Sequence, residues 1–383
     1  MKICFVTEYF PTGSNCDIRG GAEAVAFFEA KHLSGKHEIE VITSFEHGTK
    51  REDRFENLSV IRCGRARKYV QKDAFTDRLL FLYGAYRYGK KQKYDLVVGF
   101  NILTYLVAWK ISKKLKVPCI VRYHDVLIGK WVHHFGVTGW IGEWVEKYTL
   151  SKRFAAIIAV SNYTAGKLEK YIDKRENLFV VHNGVELPSK LSPKYSVPTV
   201  VCISRLVTYK HVDDLLKALA LLKTSLPEMH CIIIGTGPEE FALKHLAESL
   251  GIQERVTFSG YIQNREELLN TIGSSQLLCL PSRLEGFGLV VLESMACGVP
   301  FVAAAIPSVI EFSAMKGGLF FQPGNTEELA EKIRRILTNE ELQKELGSEG
   351  RQKATEFRWS DLSLKTDAIY VKTVKEWRAH EDG

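Results

Sequence analysis

Short apolar, β-branched runs alternate along this chain with amphipathic stretches of helical length, and the alternation stops once and then restarts. The runs of the first half are Ile3–Thr7, Ile39–Thr43, Val60–Cys63, Leu96–Gly99, Cys119–Tyr123, Ala156–Val160 and Phe179–His182. Amphipathic segments such as Ala22–Leu33 and Thr104–Leu115 lie between them. A strand buried on both faces reads as a continuous apolar run, and its parallel neighbour needs a helical crossover. The pattern therefore predicts parallel sheets covered by helices. Residues 188–198, with three prolines, break the period and predict a linker. The strand runs then resume at Thr199–Ser204, Cys231–Gly235, Val256–Ser259, Leu277–Leu280 and Pro300–Ala303. Helices are predicted at Val212–Leu222, Glu239–Leu250, Glu266–Ile272 and Leu289–Cys297. The expectation is two doubly wound α/β domains, 1–187 and 199–358, joined by the 188–198 linker. A last helix in 359–383 crosses back to the first domain. A length of 383 residues suits two domains.

Composition excludes several classes. A quarter of the residues are charged and 45% are apolar or aromatic, so the chain is neither disordered nor collagen-like. No apolar run approaches the ~20 residues of a membrane span. Met1-Lys2 leads straight into Ile-Cys-Phe-Val, which reads as a first strand rather than a signal peptide. The eight cysteines form no Cys-x-x-Cys pair and mostly sit in apolar runs, as reduced, buried residues of a cytoplasmic protein would. The net charge of +7 is uneven: residues 1–190 carry about +11 and the remainder about −4. A basic half points to an anionic partner.

Four constellations could carry chemistry. The first is Pro281-Ser-Arg-Leu-Glu285-Gly286-Phe287-Gly288-Leu289-Val290, where a strand ends, a Gly-flanked loop follows and a helix begins. Gly286 and Gly288 permit close backbone approach, and the amides of Gly288, Leu289 and Val290 offer an anion site at the helix N-terminus. Glu293 follows on a helix that is apolar nearly all round. A carboxylate there needs a partner, either ribose hydroxyls or a buried Arg or Lys. The second is Arg205 and Lys210 across a strand-to-helix connection, two cations able to neutralise a diphosphate or simply to stand in solvent. The third is Gly20-Gly21 before the first helix, an anion cradle or a plain turn. The fourth is Arg122-Tyr123-His124-Asp125 at a strand's carboxyl end, where Asp125 would orient His124 for function or the pair would be structural. Gly235-Thr-Gly237 and Gly260-Tyr-Ile262 add two strand-end turns that could present backbone groups to a base.

Together these stretches resemble the family-4 retaining glycosyltransferases of the GT-B fold. The resemblance rests on the paired-glutamate motif Glu285-Gly-Phe-Gly-Leu-Val-Val-Leu-Glu293, with Pro281-Ser282 before it, Met295-Ala-Cys-Gly-Val-Pro300 after it, and Arg205 with Lys210. In the first half it rests on Gly20-Gly21-Ala22-Glu23, Ser161-Asn-Tyr-Thr and His182-Asn-Gly-Val-Glu186, and is weakest over 46–93. It implies two Rossmann-like domains facing a cleft that binds a sugar nucleotide. Arg205 and Lys210 would hold the diphosphate, helped by the amides of Gly288 to Val290 and by Gly20 and Gly21. Glu293 would accept ribose hydroxyls. Glu285 with Gly286, Phe287 and Gly288 would grip the donor sugar, His124 would contact it near the reacting centre, and backbone near Ile262 would read the base. The family retains configuration at the anomeric carbon. No Asp-x-Asp triplet is present, so no metal is expected, and no cofactor beyond the UDP- or GDP-sugar itself.

The basic half is then the acceptor side. Arg62, Arg65, Arg67, Lys68 and Lys72 form one cluster, and Arg87, Lys90, Lys91 and Lys93 another, with interleaved aromatics. This suits an anionic membrane surface and a lipid-linked or glycan acceptor; a solvated basic helix face is the alternative. Trp131, Trp140 and Trp144 follow His124 and are expected to line the acceptor pocket. No nucleic-acid motif is present. A catalytically silent nucleotide-sugar module, or an enzyme acting on a soluble sugar, remain the other readings.

Overall fold

The computed structural model describes residues 1–11, 17–55, 57–67, 69, 75–172 and 177–381. The chain divides into two compact units. One holds Met1–Ser14, Ile18–Asn183 and Trp359–Gly383; the other holds Asn15–Asp17 and Gly184–Arg358.

The described strands of the first unit are β1 (Lys2–Val6), β2 (Glu38–Glu46), β3 (Glu52–Phe55), β4 (Leu58–Arg67), β5 (Leu96–Gly99), β6 (Cys119–Tyr123), β7 (Ala156–Ala159) and β8 (Leu178–Val180). They form one sheet in the order β3-β4-β2-β1-β5-β6-β7-β8, parallel except for β3, which pairs antiparallel with β4. Ile3, Phe5, Val97, Val98, Ile120 and Val121 are fully buried, as the continuous apolar runs require. Strand β3 reads Glu-Asp-Arg-Phe, a polar edge segment that hydrophobic patterning does not reveal. Fully buried Arg122 lies at an ion-pair distance of 3.3 Å from Glu29 and donates to the carbonyls of Val181 and His182 at 3.1 and 3.3 Å. The helix Trp359–Glu381 packs on this unit. Trp359 stacks on Phe28 at 5.4 Å, Tyr370 donates to Glu29, and His37 meets Asp367 at 2.6 Å.

The second unit carries β9 (Thr199–Ile203), β10 (His230–Ile234), β11 (Val256–Gly260), β12 (Leu277–Leu280), β13 (Phe301–Ala304) and β14 (Gly318–Phe321). The order β11-β10-β9-β12-β13-β14 is parallel throughout. β14 is a Gly-Leu-Phe-Phe run at the sheet edge that the sequence reading passes over; Leu319 and Phe320 are only partly buried there. Each sheet reverses its winding direction once, beside β1 in the first unit and beside β9 in the second. Open α/β sheets bind ligands outside the strand carboxyl ends at such a reversal.

Candidate functional site

In the second unit the loops that leave β9 and β12 meet. Lys210 lies in the Thr208–Lys210 turn, which closes with His211 in the left-handed region at φ +50°. Its ammonium reaches Glu285 Oε1 at 2.5 Å, bringing together two residues 75 positions apart. Both side chains are only slightly exposed, so each desolvates the other's charge and solvent screens the pair little. Arg205 donates to the Tyr209 hydroxyl.

The stretch after Glu285 is built for close approach. Gly288 caps the helix Leu289–Ala296 with φ +101° and supplies no side-chain cap. A Cβ there would come 2.9 Å from Val309 Cγ2. Backbone amides of the first turn lack an intrahelical acceptor by construction, so Leu289 and Val290 present donors beside the Lys210–Glu285 pair's loop. Phe287 is turned inward, stacked on Phe312 at 4.6 Å and edge-on to Phe357 at 6.4 Å. Only its backbone faces outward; the ring anchors the loop. Ser308 Oγ donates to the Glu285 carbonyl at 2.8 Å and pins the same loop from the helix Pro307–Ser313.

Glu293 is buried, and the structure gives it a protein partner: Arg265 Nη2 lies 2.7 Å from Oε1. Burial opposes the Arg265 charge, but Glu293 more than offsets it and raises the guanidinium pKa above its ordinary value. Arg265 carries no motif and was not found by sequence reasoning; an arginine at the first position of a helix opposes the helix dipole, and that misfit was the available signal.

Gly235 and Gly237 have another explanation than base contact. A Cβ on Gly235 would collide with the Ser204 carbonyl oxygen, and one on Gly237 with the Leu206 carbonyl oxygen. The Gly235 amide donates to the Gly260 carbonyl at 2.7 Å. These glycines let the loops after β9, β10 and β11 pack together. Ile262 sits in the third of these loops, partly exposed. Among the described residues, one trio with metal-ligand atoms, His211, Asp213 and Asp214, lies within 4.8 Å of one another. Asp213 already takes Lys217 at 2.7 Å, and Asp214 takes Arg283 at 2.9 Å.

In the first unit, Gly20 precedes the helix Gly21–Leu33 in extended backbone that any residue adopts, and a Cβ there would meet nothing within 4 Å. Neither conformation nor packing demands this glycine, which leaves its lack of a side chain available to a ligand. Beside it Arg19 binds Glu46 at 2.5 and 2.8 Å and Glu23 at 3.2 Å. Burial chiefly, then Glu46, pushes the Glu23 carboxyl up to about 7 against the pull of Arg19. His124 follows β6. Its Nε2 is buried with no hydrogen-bond partner, and burial followed by the Arg122 charge pushes the imidazole down to about 3. It is neutral at neutral pH. Asp125 does not orient it: that carboxylate takes Lys167 at 2.7 Å and the Val126 amide at 2.7 Å.

The basic and aromatic clusters are rearranged relative to expectation. Arg62 is buried against Asp53, and Arg67 is buried with Glu8 at 2.9 Å, so neither is a solvated cation. Arg65 is exposed; Lys68 and Lys72 lie outside the described residues. Trp131 turns inward and donates to buried Glu146 at 2.6 Å. Trp140 and Trp144 instead stand on the surface, 72% and 64% exposed, with Ile141 and Val137 beside them at 58% and 87%. They form an open apolar face rather than the wall of a pocket.

A family model described as "Glycosyl transferases group 1" matches residues 186–353, and one described as "Glycosyltransferase Family 4" matches residues 19–188. N-acetyl-alpha-D-glucosaminyl L-malate synthase of Bacillus anthracis is 30% identical over 210 residues, 54% of this chain and 53% of that protein. GDP-mannose-dependent monoacylated alpha-(1-6)-phosphatidylinositol monomannoside mannosyltransferase of Corynebacterium glutamicum is 28% identical over 57% of this chain and 58% of its own length. The chain thus spans little more than half of these relatives. Sucrose-phosphate synthase of Thermosynechococcus elongatus superposes with a TM-score of 0.82 at 21% identity, over 97% of this chain and 98% of that one. Anabaena HepE, solved with UDP and glucose, superposes with a TM-score of 0.74 at 20% identity, over 96% and 98%.

Proposed function

The chain belongs to the family-4 glycosyltransferases and carries their fold of two Rossmann-like domains, GT-B, and from that premise we propose that it moves a hexose-type sugar from a UDP- or GDP-sugar to an acceptor with retention at the anomeric carbon. The observation that carries this reading is the Lys210–Glu285 pair beside the side-chain-free helix start at Gly288, on loops flanking the winding reversal of the second sheet.

The chemistry follows from where charge develops. As the glycosidic bond breaks, negative charge grows on the leaving diphosphate. Arg205, Lys210 and the amides of Leu289 and Val290 stabilise it more in the transition state than in the ground state. Lys210 exchanges Glu285 for phosphate when the donor enters, and the freed carboxylate accepts hydroxyls of the donor sugar. Glu293 accepts ribose hydroxyls and backbone near Ile262 reads the base. In the first unit, Gly20 and Gly21 offer amide donors to an anion. His124, neutral, offers Nε2 as a hydrogen-bonding group rather than a cation. Attack comes from the face the leaving group departs, and the departing phosphate takes the acceptor proton. The fixed cations and amides do the work a divalent ion would do, so the reaction proceeds without metal.

For the acceptor we favour a lipid-linked or glycan molecule with an anionic group. The relatives named for L-malate and for a phosphatidylinositol mannoside act on such groups. No described helix is long and apolar enough to cross a membrane. The open face of Val137, Trp140, Ile141 and Trp144 suits peripheral attachment to the inner, cytoplasmic face of a membrane. It replaces the 62–72 cluster as the candidate contact. The test is transfer of labelled hexose from UDP- and GDP-sugars to an anionic-lipid extract and to soluble sugars, with product configuration read by NMR. Transfer to lipid with the donor's anomeric configuration is expected. Inverted product, or no transfer from any donor, overturns the reading.

A further inference from the structure

Arg265 has a place in the second unit that its own helix does not explain. It is the first residue of the helix Arg265–Ser274, whose start is already capped by Asn264 accepting from the amides of Glu266 and Glu267 at 2.8 and 3.2 Å. A cation in the first turn opposes the helix dipole, and first-turn carboxylates such as Glu266 and Glu267 are the favoured residues there. The guanidinium is nevertheless buried, and its partner is Glu293, at 2.7 Å on a different helix. Glu186, at the start of the second unit, adds a further negative charge to its surroundings. The pair therefore ties two things together. One end is the loop running from β11 through Ile262 to Asn264; the other is the helix Leu289–Ala296 that starts at the anion-binding amides. The sequence allows two fates for Glu293, a ribose contact or a buried ion pair. The two are compatible: the Arg265 contact reaches Oε1, and a carboxylate has two acceptor oxygens with several lone-pair sites.

We infer that Arg265 is a positioning residue for nucleoside recognition: it fixes the Glu293 carboxylate for the ribose hydroxyls, and it holds the base-reading loop in register with that carboxylate. This rests on the ribose role proposed for Glu293. Without Arg265, the Glu293 carboxylate loses the contact that fixes its rotamer. A mobile carboxylate is a poorer acceptor for two vicinal hydroxyls, so the loss falls on the ribose rather than on the diphosphate.

The experiment measures dissociation constants of UDP and GDP and of their 2′-deoxy analogues by calorimetry, for the wild-type chain, Arg265→Gln, Arg265→Lys and Glu293→Gln. Wild type is expected to prefer the ribonucleotide of its base by about tenfold or more, the range of a hydrogen bond to a charged acceptor. Arg265→Gln is expected to bring that ratio within about threefold of unity, and Arg265→Lys, which restores charge without the planar fork, to recover part of it. A helix-stabilising role alone would weaken both nucleotides equally and leave the ratio untouched. If Arg265→Gln does not fold, the lysine variant decides: a ratio equal to wild type overturns the inference. Preference lost in Glu293→Gln but kept in the arginine variants removes the role of Arg265 alone. Preference kept in Glu293→Gln, or absent from wild type, removes the ribose role of Glu293 beneath it.

Discussion

The second unit sets its candidate site on loops marked by short sequence patterns: Glu285 to Glu293 in one stretch, Arg205 and Lys210 in another. The first unit sets its polar groups on partners that no local pattern links: Arg19 with Glu46, Arg67 with Glu8, Arg122 with Glu29. In the second unit, glycines and an uncapped helix start leave backbone donors open, and the site's charged side chains range from exposed Arg205 to the mostly buried Lys210–Glu285 and Arg265–Glu293 pairs. In the first, charges are sunk into the structure and hold distant segments together. The difference teaches that a site made of backbone geometry is legible in local spelling, whereas a scaffold of buried ion pairs is written in tertiary contacts.

Substitutions can break or sharpen that contrast. The largest effect belongs to Arg205→Ala with Lys210→Ala, which removes the two cations proposed to face the leaving group. Turnover falls about a thousandfold or more, far beyond any loss of folded protein, since Arg205 is exposed and only Lys210 gives up an ion pair. Turnover near wild type would detach the loops from catalysis. Next come two buried pairs, one in each unit. Glu293→Gln leaves Arg265 buried without its counterion and costs about 3–5 kcal/mol of stability, with weaker nucleotide binding besides. Arg122→Met costs about the same in urea denaturation, yet leaves nucleotide affinity unchanged in the folded fraction. Equal losses of affinity in both variants would erase the distinction between site and scaffold.

A smaller effect comes from acid. The His124 imidazole, pushed down to about 3 by burial, stays neutral in the fold while the unfolded chain protonates it near 6.5. Protons then favour the unfolded state, so this group's contribution is intact above about 6.5 and is lost as pH falls toward 3. His124→Gln should flatten that part of the stability profile; an unchanged profile from pH 7 to 4 would place the imidazole in water. The smallest effect is on stability in Gly20→Ala, within about 0.5 kcal/mol of wild type, because the new methyl meets open space. Its expected signature is a raised KM for the donor. An unchanged KM would make Gly20 an ordinary turn.

The parallel architecture was legible because strands buried on both faces must be continuous apolar runs, and thirteen-residue helices such as Gly21–Leu33 must alternate with them. The missed strands were edge strands, which are not buried on both faces: polar β3 and the half-buried β14. In the site, Glu285, Gly288 and Lys210 were legible from local pattern. Arg265 was not, because its meaning lies in a contact 28 positions away. Gly235 and Gly237 were legible as special but not as packing glycines, since the carbonyls of Ser204 and Leu206 that exclude a side chain come from another loop. The aromatic surface was misplaced for the same reason: Trp131 and Trp140 look alike in sequence, and tertiary contacts with Glu146 and Gly142 turn the first of them inward.

The central claim is that the second unit's loops form a nucleotide-sugar site charged by Lys210 and Arg205 rather than by a metal. The most direct measurement is calorimetric binding of UDP-, GDP- and ADP-sugars to the whole chain, with and without EDTA, repeated on Lys210→Ala. The account predicts that one nucleotide family binds, that EDTA leaves the affinity unchanged, and that the variant loses at least about tenfold. Binding abolished by EDTA, or equally tight in the variant, would contradict it.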